Sequence, residues 1–212
     1  MYSPKYFTET DLLELDRLLE WNGFASLITT LDGQPYVSHI PILYERNEDE
    51  VIFRGHWAKP NPQWKGELEA LLIIHGPNAY ISPGWYPDKE DKARVPTWNY
   101  AVAHIRGQLV VTHQESDLAE IVSDLTQLNE TMVGSDWEFE PETREDHRKQ
   151  LAGIVGFRLV AKQISMKFKL SQNHPKANIE SVVEHLPMSN QHHGAVIAEL
   201  MREQLNKPKP LG

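Results

Sequence analysis

The stretch best equipped for chemistry is RGHWAKPNPQW, from Arg54 to Trp64. It places Arg54, His56, Lys59 and Asn61 where the residue pattern predicts that a strand ends and a helix begins. Backbone N–H groups at a helix start, assisted by the helix dipole, suit an anion such as phosphate, and Lys59 would add a full charge. The same residues also describe an ordinary capped turn carrying surface cations. There is no Gly-rich loop ending in Lys-Ser/Thr and no dinucleotide fingerprint, so a nucleotide bound here would be held by another device.

Three further groups have chemical potential. In SHIP, His39 lies on a predicted strand between apolar neighbours, either as a ligand-orienting imidazole or as a histidine satisfied by a backbone carbonyl. Four of the six tryptophans fall between Trp57 and Trp98, and the band holding Trp85, Tyr86, Trp98, Asn99 and Tyr100 fits either a flat-ring ligand and an interface or plain core packing. In KFKLSQN, a strand would turn Lys167 and Lys169 to one side and Phe168 to the other, so two like charges need solvent or an anion. Metal and covalent chemistry find little support. His192 and His193 are adjacent and do not converge on one ion, no spacing marks a zinc or iron site, and no Gly-x-Ser-x-Gly elbow surrounds Ser26, Ser38 or Ser82.

The elements that must position these residues can be read from periodicity. Leu12, Leu15, Leu18 and Leu19 share a helix face capped by Thr8 or Thr10 and stopped at Asn22-Gly23. FASLITTL and QPYVSHIPILYE read as two strands joined by Asp32-Gly33, the strongest short hairpin signal. VIFRGH is another strand, and Asn61-Pro62 looks like the cap and first position of a short helix. LLIIHGP and AYISPGWYP read as two strands, followed by the charged loop DKEDKAR and the long strand WNYAVAHIRGQLVVTH. Ser116 would cap a helix running to about Gly134. An acidic connector, a shorter helix and the final strand GIVGFRLVAKQISMKFKLSQN come next. Two helices follow Pro175, and the terminal NKPKPLG is expected to fray. About seven strands in hairpin-like order, without alternating βαβ units, make a mainly β fold with peripheral helices, a Greek-key or meander barrel of the α+β class.

Bulk properties narrow the partners. With 212 residues and no cysteine, the chain can bury a core without disulfides, and thiolate metal sites are excluded. A net charge of −9 disfavours a nucleic-acid grip that relies on neutralising phosphates. The N-terminus lacks a signal-peptide pattern and no window reads as a membrane span, so a cytoplasmic protein is expected.

Taken in order, MYSPKYF, SHIP, GHWAKPNPQW, GPNAYISPGWYP, VPTWNYAVAHIRG, IVGFRL and KFKLSQN resemble the PaiB-like family of FMN-binding negative transcriptional regulators, from Met1 to about Leu186. The resemblance implies an FMN-binding split β-barrel over residues 1–174, with an N-terminal helix and inserted helices, and a C-terminal helical extension over 175–212. It also implies a homodimer with FMN lodged between the protomers. The phosphate would be met by Lys59 and Asn61, with Arg54 and His56 before them. Thr29, Thr30, Ser38 and His39 would supply the hairpin contacts to the ring. Trp98 and Asn99 would reach over from the partner subunit, and Lys167 and Lys169 would approach the phosphate or the ribityl chain. Ile40, Ile42, Ile52 and Phe53 would supply an apolar wall.

By that likeness the protein is a flavin-holding negative regulator whose cofactor state changes the dimer and, through it, a DNA or protein partner. Direct DNA contact is disfavoured by the charge and by the absence of a helix-turn-helix pattern. The alternative is a flavin-dependent oxidoreductase or a haem-handling protein of the same fold. A third possibility is a barrel without cofactor that acts as an interaction dimer.

Overall fold

The computed structural model describes residues 1–48 and 50–207, so most of the NKPKPLG tail lies outside the described residues. Its strands are β1 Thr8–Glu9, β2 Phe24–Leu31, β3 Gln34–Pro41, β4 Leu43–Arg46, β5 Val51–Ala58, β6 Glu69–Ile81, β7 Thr97–Thr112 and β8 Ile154–Lys169. The helices are α1 Leu12–Trp21, α2 Glu115–Val133, α3 Glu145–Leu151, α4 Lys176–His185 and α5 Gly194–Asn206. The sheet is hydrogen-bonded in the order β3-β2-β6-β7-β8-β5-β4, with β1 added to β8. The pairs β1–β8, β2–β3, β2–β6, β4–β5 and β5–β8 are antiparallel.

Local chemistry explains much of this layout. Asp32 (φ 52°) and Gly33 (φ 72°) both adopt the left-handed region, as a two-residue turn between twisted strands requires. β7 shows a clean period of two: Ala101, Ala103, Ile105 and Leu109 are buried, and Arg106, Gln108 and Val110 are exposed. Gly134 (φ 72°) ends α2, and its N–H and that of Ser135 return to the carbonyls of the last turn.

Several elements depart from the sequence pattern. QPYVSHIPILYE is two strands, broken at Ile42, whose N–H donates to the Gly23 carbonyl at 2.9 Å. β3 pairs with β2 and β4 with β5, so the two halves sit at opposite ends of the strand order. LLIIHGP and AYI form one strand, β6, because Gly76 is a close-packing position: a Cβ there would lie 2.5 Å from Leu18 Cδ2 and 2.7 Å from the Ala101 carbonyl oxygen. The α1 cap is Asp11, whose carboxylate accepts the Leu13 N–H at 3.0 Å, while Thr8 belongs to β1. Ser116 sits inside the first turn of α2, and Thr112 Oγ1 accepts the Gln114 N–H that precedes it. The helix expected after Asn61-Pro62 is a single 3-10 turn, Pro62–Lys65.

The chain divides into two compact units. The first comprises residues 1–18, 75–103 and 165–212. Its core includes Leu15, Ile81, Met166, Phe168, Val182, Leu186, Ile197 and Met201. The second comprises residues 19–74 and 104–164. It is centred on Leu27, Phe53, Trp57, Leu72, Val155, Phe157 and Leu159, with the Trp57 and Phe157 rings 4.7 Å apart. Leu118, Ile121 and Leu125 supply the buried stripe of α2 in that unit. No helix among the described residues is long and apolar enough to cross a membrane.

Candidate functional site

The predicted site residues fall into both units. Thr29, Thr30, Ser38, His39, Arg54, His56, Lys59 and Asn61 lie in the second, and Trp98, Asn99, Lys167 and Lys169 in the first.

In the second unit, the corner after β5 is braced by a residue that pattern reading did not single out. Gln63 is fully buried, and its side-chain nitrogen donates to the carbonyls of Leu27 (3.0 Å) and Tyr36 (3.1 Å). Its side-chain oxygen accepts the Trp57 indole N–H at 2.9 Å. One amide thus ties β2, β3 and β5 together. Asn61 works beside it: Oδ1 accepts the Gln63 N–H at 3.0 Å, and Nδ2 donates to Ser38 Oγ at 2.9 Å. The capping role read for Asn61 is therefore present, but a single 3-10 turn offers little of a helix dipole.

The polar groups at this corner are unequally satisfied. Thr29 is buried on β2, and its hydroxyl has no hydrogen-bond partner among the described residues. Thr30 is half-buried, and its carbonyl accepts the Glu67 N–H at 2.8 Å. Lys59 is exposed, its ammonium donates to the Ala152 carbonyl at 3.3 Å, and no carboxylate pairs with it among the described residues. His39 faces the other side of β3 from Ser38 and shares a hydrogen bond with Ser26 through Nδ1 at 3.0 Å.

Arg54 and His56 occupy a different face. Arg54 is clasped by Glu45, by Glu120 at 3.1 Å and by Asp124 at 2.8 Å, which pins α2 to β4 and β5. Three carboxylates more than balance its charge, so it brings no spare positive potential to an anion. His56 shares its strand face. Its Nδ1 is buried without a partner among the described residues, and burial pushes the imidazole below its ordinary pKa.

In the first unit, Trp98 is more than half exposed and meets the edge of Tyr80 at 6.1 Å. Asn99, one position on, points to the opposite face. It is fully buried, hydrogen-bonded to Ser171 at 2.9 Å and in contact with Met201 Sδ at 3.3 Å. Of this pair only Trp98 faces outward. Lys167 is buried and donates to the Tyr2 carbonyl at 3.3 Å, while Lys169 donates to Thr97 Oγ1 and to the Trp98 carbonyl at 2.6 Å.

Residues 1–163 match the family described as "Putative FMN-binding domain". The Bacillus subtilis protease synthase and sporulation protein PAI 2 is 32% identical over 211 residues, spanning 98% of this chain and 99% of that one. Among solved structures, the FAD and heme binding protein of Mycobacterium smegmatis superposes with a TM-score of 0.54 at 18% identity, covering 84% of this chain and 79% of that one. The flavocytochrome Anf3 of Azotobacter vinelandii superposes with a TM-score of 0.52 at 16% identity, covering 79% and 72%. At such low identity the two superpositions bear on the fold alone, which agrees with the antiparallel, helix-flanked sheet described above, whose strand order does not close on itself. A family match over most of the length, together with a relative similar from end to end, makes this chain a member of the PaiB-like family of FMN-binding-domain proteins.

Proposed function

We propose that the protein binds FMN at the corner built by Ser38, Lys59, Asn61 and Gln63, that it does so as a homodimer, and that it acts as a flavin-holding negative regulator of the PaiB type. The observations that carry the reading are, among the described residues, an exposed Lys59 ammonium without a carboxylate at the corner after β5 and a buried hydroxyl without a hydrogen-bond partner, Thr29 Oγ1, on β2, the strand that Gln63 ties to that corner. An FMN phosphate carries close to two negative charges, and a cation with adjacent amide and hydroxyl groups offsets its desolvation. Bound flavin would supply reversible electron uptake. The chain's own part is to fix the phosphoryl end through Lys59, Asn61 and Ser38, and to hold the β2–β3 hairpin that meets the ring through Thr29, Thr30 and His39. Arg54 and His56 support the scaffold around the corner.

Family membership and the end-to-end likeness to the Bacillus subtilis protein support the regulatory assignment. Exposed Trp98 and Tyr80 offer the aromatic surface that a second protomer would cover. The test is an FMN absorbance titration of wild type, Lys59→Ala and Arg54→Ala. Loss of one charge-assisted contact should weaken FMN binding by about 1–3 kcal/mol in Lys59→Ala. Arg54→Ala should instead lower stability more than affinity. A colourless protein that ignores FMN, or full affinity in Lys59→Ala, would remove the corner as the phosphate site.

A further inference from the structure

The flavin reading rests on the second unit and leaves two lysines of the first without a task. Lys167 and Lys169 leave β8 on one face, and each ammonium sits 5.9 Å from the centroid of the same Phe7 ring. Lys167 also lies 5.4 Å from the Tyr100 ring and 5.8 Å from the Tyr2 ring. Neither ammonium has a carboxylate within ion-pair distance among the described residues. Their hydrogen bonds go to carbonyls and one hydroxyl. These groups and the ring faces solvate a cation with partial charges only, whereas a buried charge calls for a full counter-charge.

The nearby Arg94 is paired with Asp88, so the unpaired positive charge rests with the two lysines. Arg94 lies 5.8 Å over the Tyr86 ring, and the carboxylate it meets, Asp88, also accepts a hydrogen bond from Asn178. Burial and then Lys167 push the Lys169 ammonium below its ordinary pKa. Burial, Arg94 and Lys169 do the same to His174, although Asp88 opposes them, and the His174 Nδ1 is buried without a partner among the described residues. In a chain with a net charge of −9, this concentration of positive charge among aromatic rings stands out. A chain that needed only solubility would not bury it.

We propose that Lys167 and Lys169 form a second binding site, for a small organic oxyanion whose charged head bridges the two ammoniums and whose apolar body rests on the exposed Tyr2 and the half-buried Tyr100. A phosphate monoester and a carboxylate share this chemistry. The two tyrosine rings and the apolar stems of the lysines favour an aromatic or otherwise planar body over inorganic phosphate.

FMN-saturated wild type would be titrated calorimetrically with phenyl phosphate and, separately, with benzoate. The better probe should bind with a dissociation constant below about 1 mM and weaken with added salt. Lys169→Met should weaken it roughly tenfold or more, and Lys169→Arg by roughly threefold or less, since the charge is kept. No binding of either probe, or unchanged binding in Lys169→Met, overturns the proposal. FMN titration of the same variants separates this site from the flavin corner: a parallel loss of FMN in Lys169→Met would assign the lysines to the flavin and also overturn it. Should Lys169→Met not fold, lysine-selective NMR of the wild type decides. The probe must then shift the Lys167 and Lys169 ammonium signals, and movement confined to other lysines counts against the site.

Discussion

At the scale of single residues, the corner after β5 depends on an amide that carries no charge. Gln63→Ala would leave the buried Trp57 indole N–H without its partner and take one hydrogen bond each from the carbonyls of Leu27 and Tyr36. Denaturant unfolding should show a loss of about 2–4 kcal/mol, since the orphaned buried group costs about 1–3 kcal/mol, the two lost hydrogen bonds add to that and neighbours relax in part. His56 gives a pH dependence. Its folded pKa lies below the ordinary 6.5, so the unfolded chain takes up the proton first as the medium is acidified. The stability due to neutral His56 is complete above pH 6.5 and declines as pH falls through the lowered folded value. Urea midpoints from about pH 8 to about pH 5 should fall less steeply in His56→Gln than in wild type. Sequence reading reached Asn61 because Asn before Pro is a local capping signal, and the side chain does cap. It could not weigh Arg54, whose carboxylates stand 9, 66 and 70 positions away along the chain and were brought near only by folding. Gln63 carries no such local sign for the same reason: two of its three partners are backbone carbonyls of distant strands.

At the scale of elements, period and turn chemistry carried most of the layout. The Asp32-Gly33 hairpin, the alternation of β7 and the Gly134 stop of α2 all express short-range rules, and all are present. The failures occurred where packing overrode a local signal. Gly76-Pro77 looks like a turn but lies within β6, because the missing side chain admits Leu18 and Ala101. The break at Ile42 does have a local sign: Pro41 supplies no N–H to a continuing ladder, and the buried Ile42 and Leu43 are consecutive rather than alternating. Gly107 illustrates the same override in β7. A Cβ there would stand 2.2 Å from the Val160 carbonyl oxygen, a backbone atom that can move only with its strand. Gly107→Ala should therefore cost about 1–3 kcal/mol by thermal or denaturant unfolding, although alanine normally improves on glycine in a strand.

At the scale of the molecule, charge and assembly set the expectations. Light scattering on the FMN-saturated protein should give twice the mass of the chain if the proposed homodimer forms, and Trp98→Lys should shift the population toward monomer by placing a charge on the exposed aromatic surface. A dimer doubles the net charge of −9, so gel-shift titration at low salt should show no nanomolar, sequence-selective DNA binding. Regulation would then run through another protein. The Gln63 crosslink also has a kinetic consequence. Its acceptors lie 36 and 27 positions before it in the chain, and the indole it receives belongs to a third strand. A newly made polypeptide can satisfy this amide only after β2, β3 and β5 have all docked. Yellow colour acquired during refolding should therefore lag behind the appearance of sheet, and a stopped-flow experiment following both signals would time the closing of the last joint.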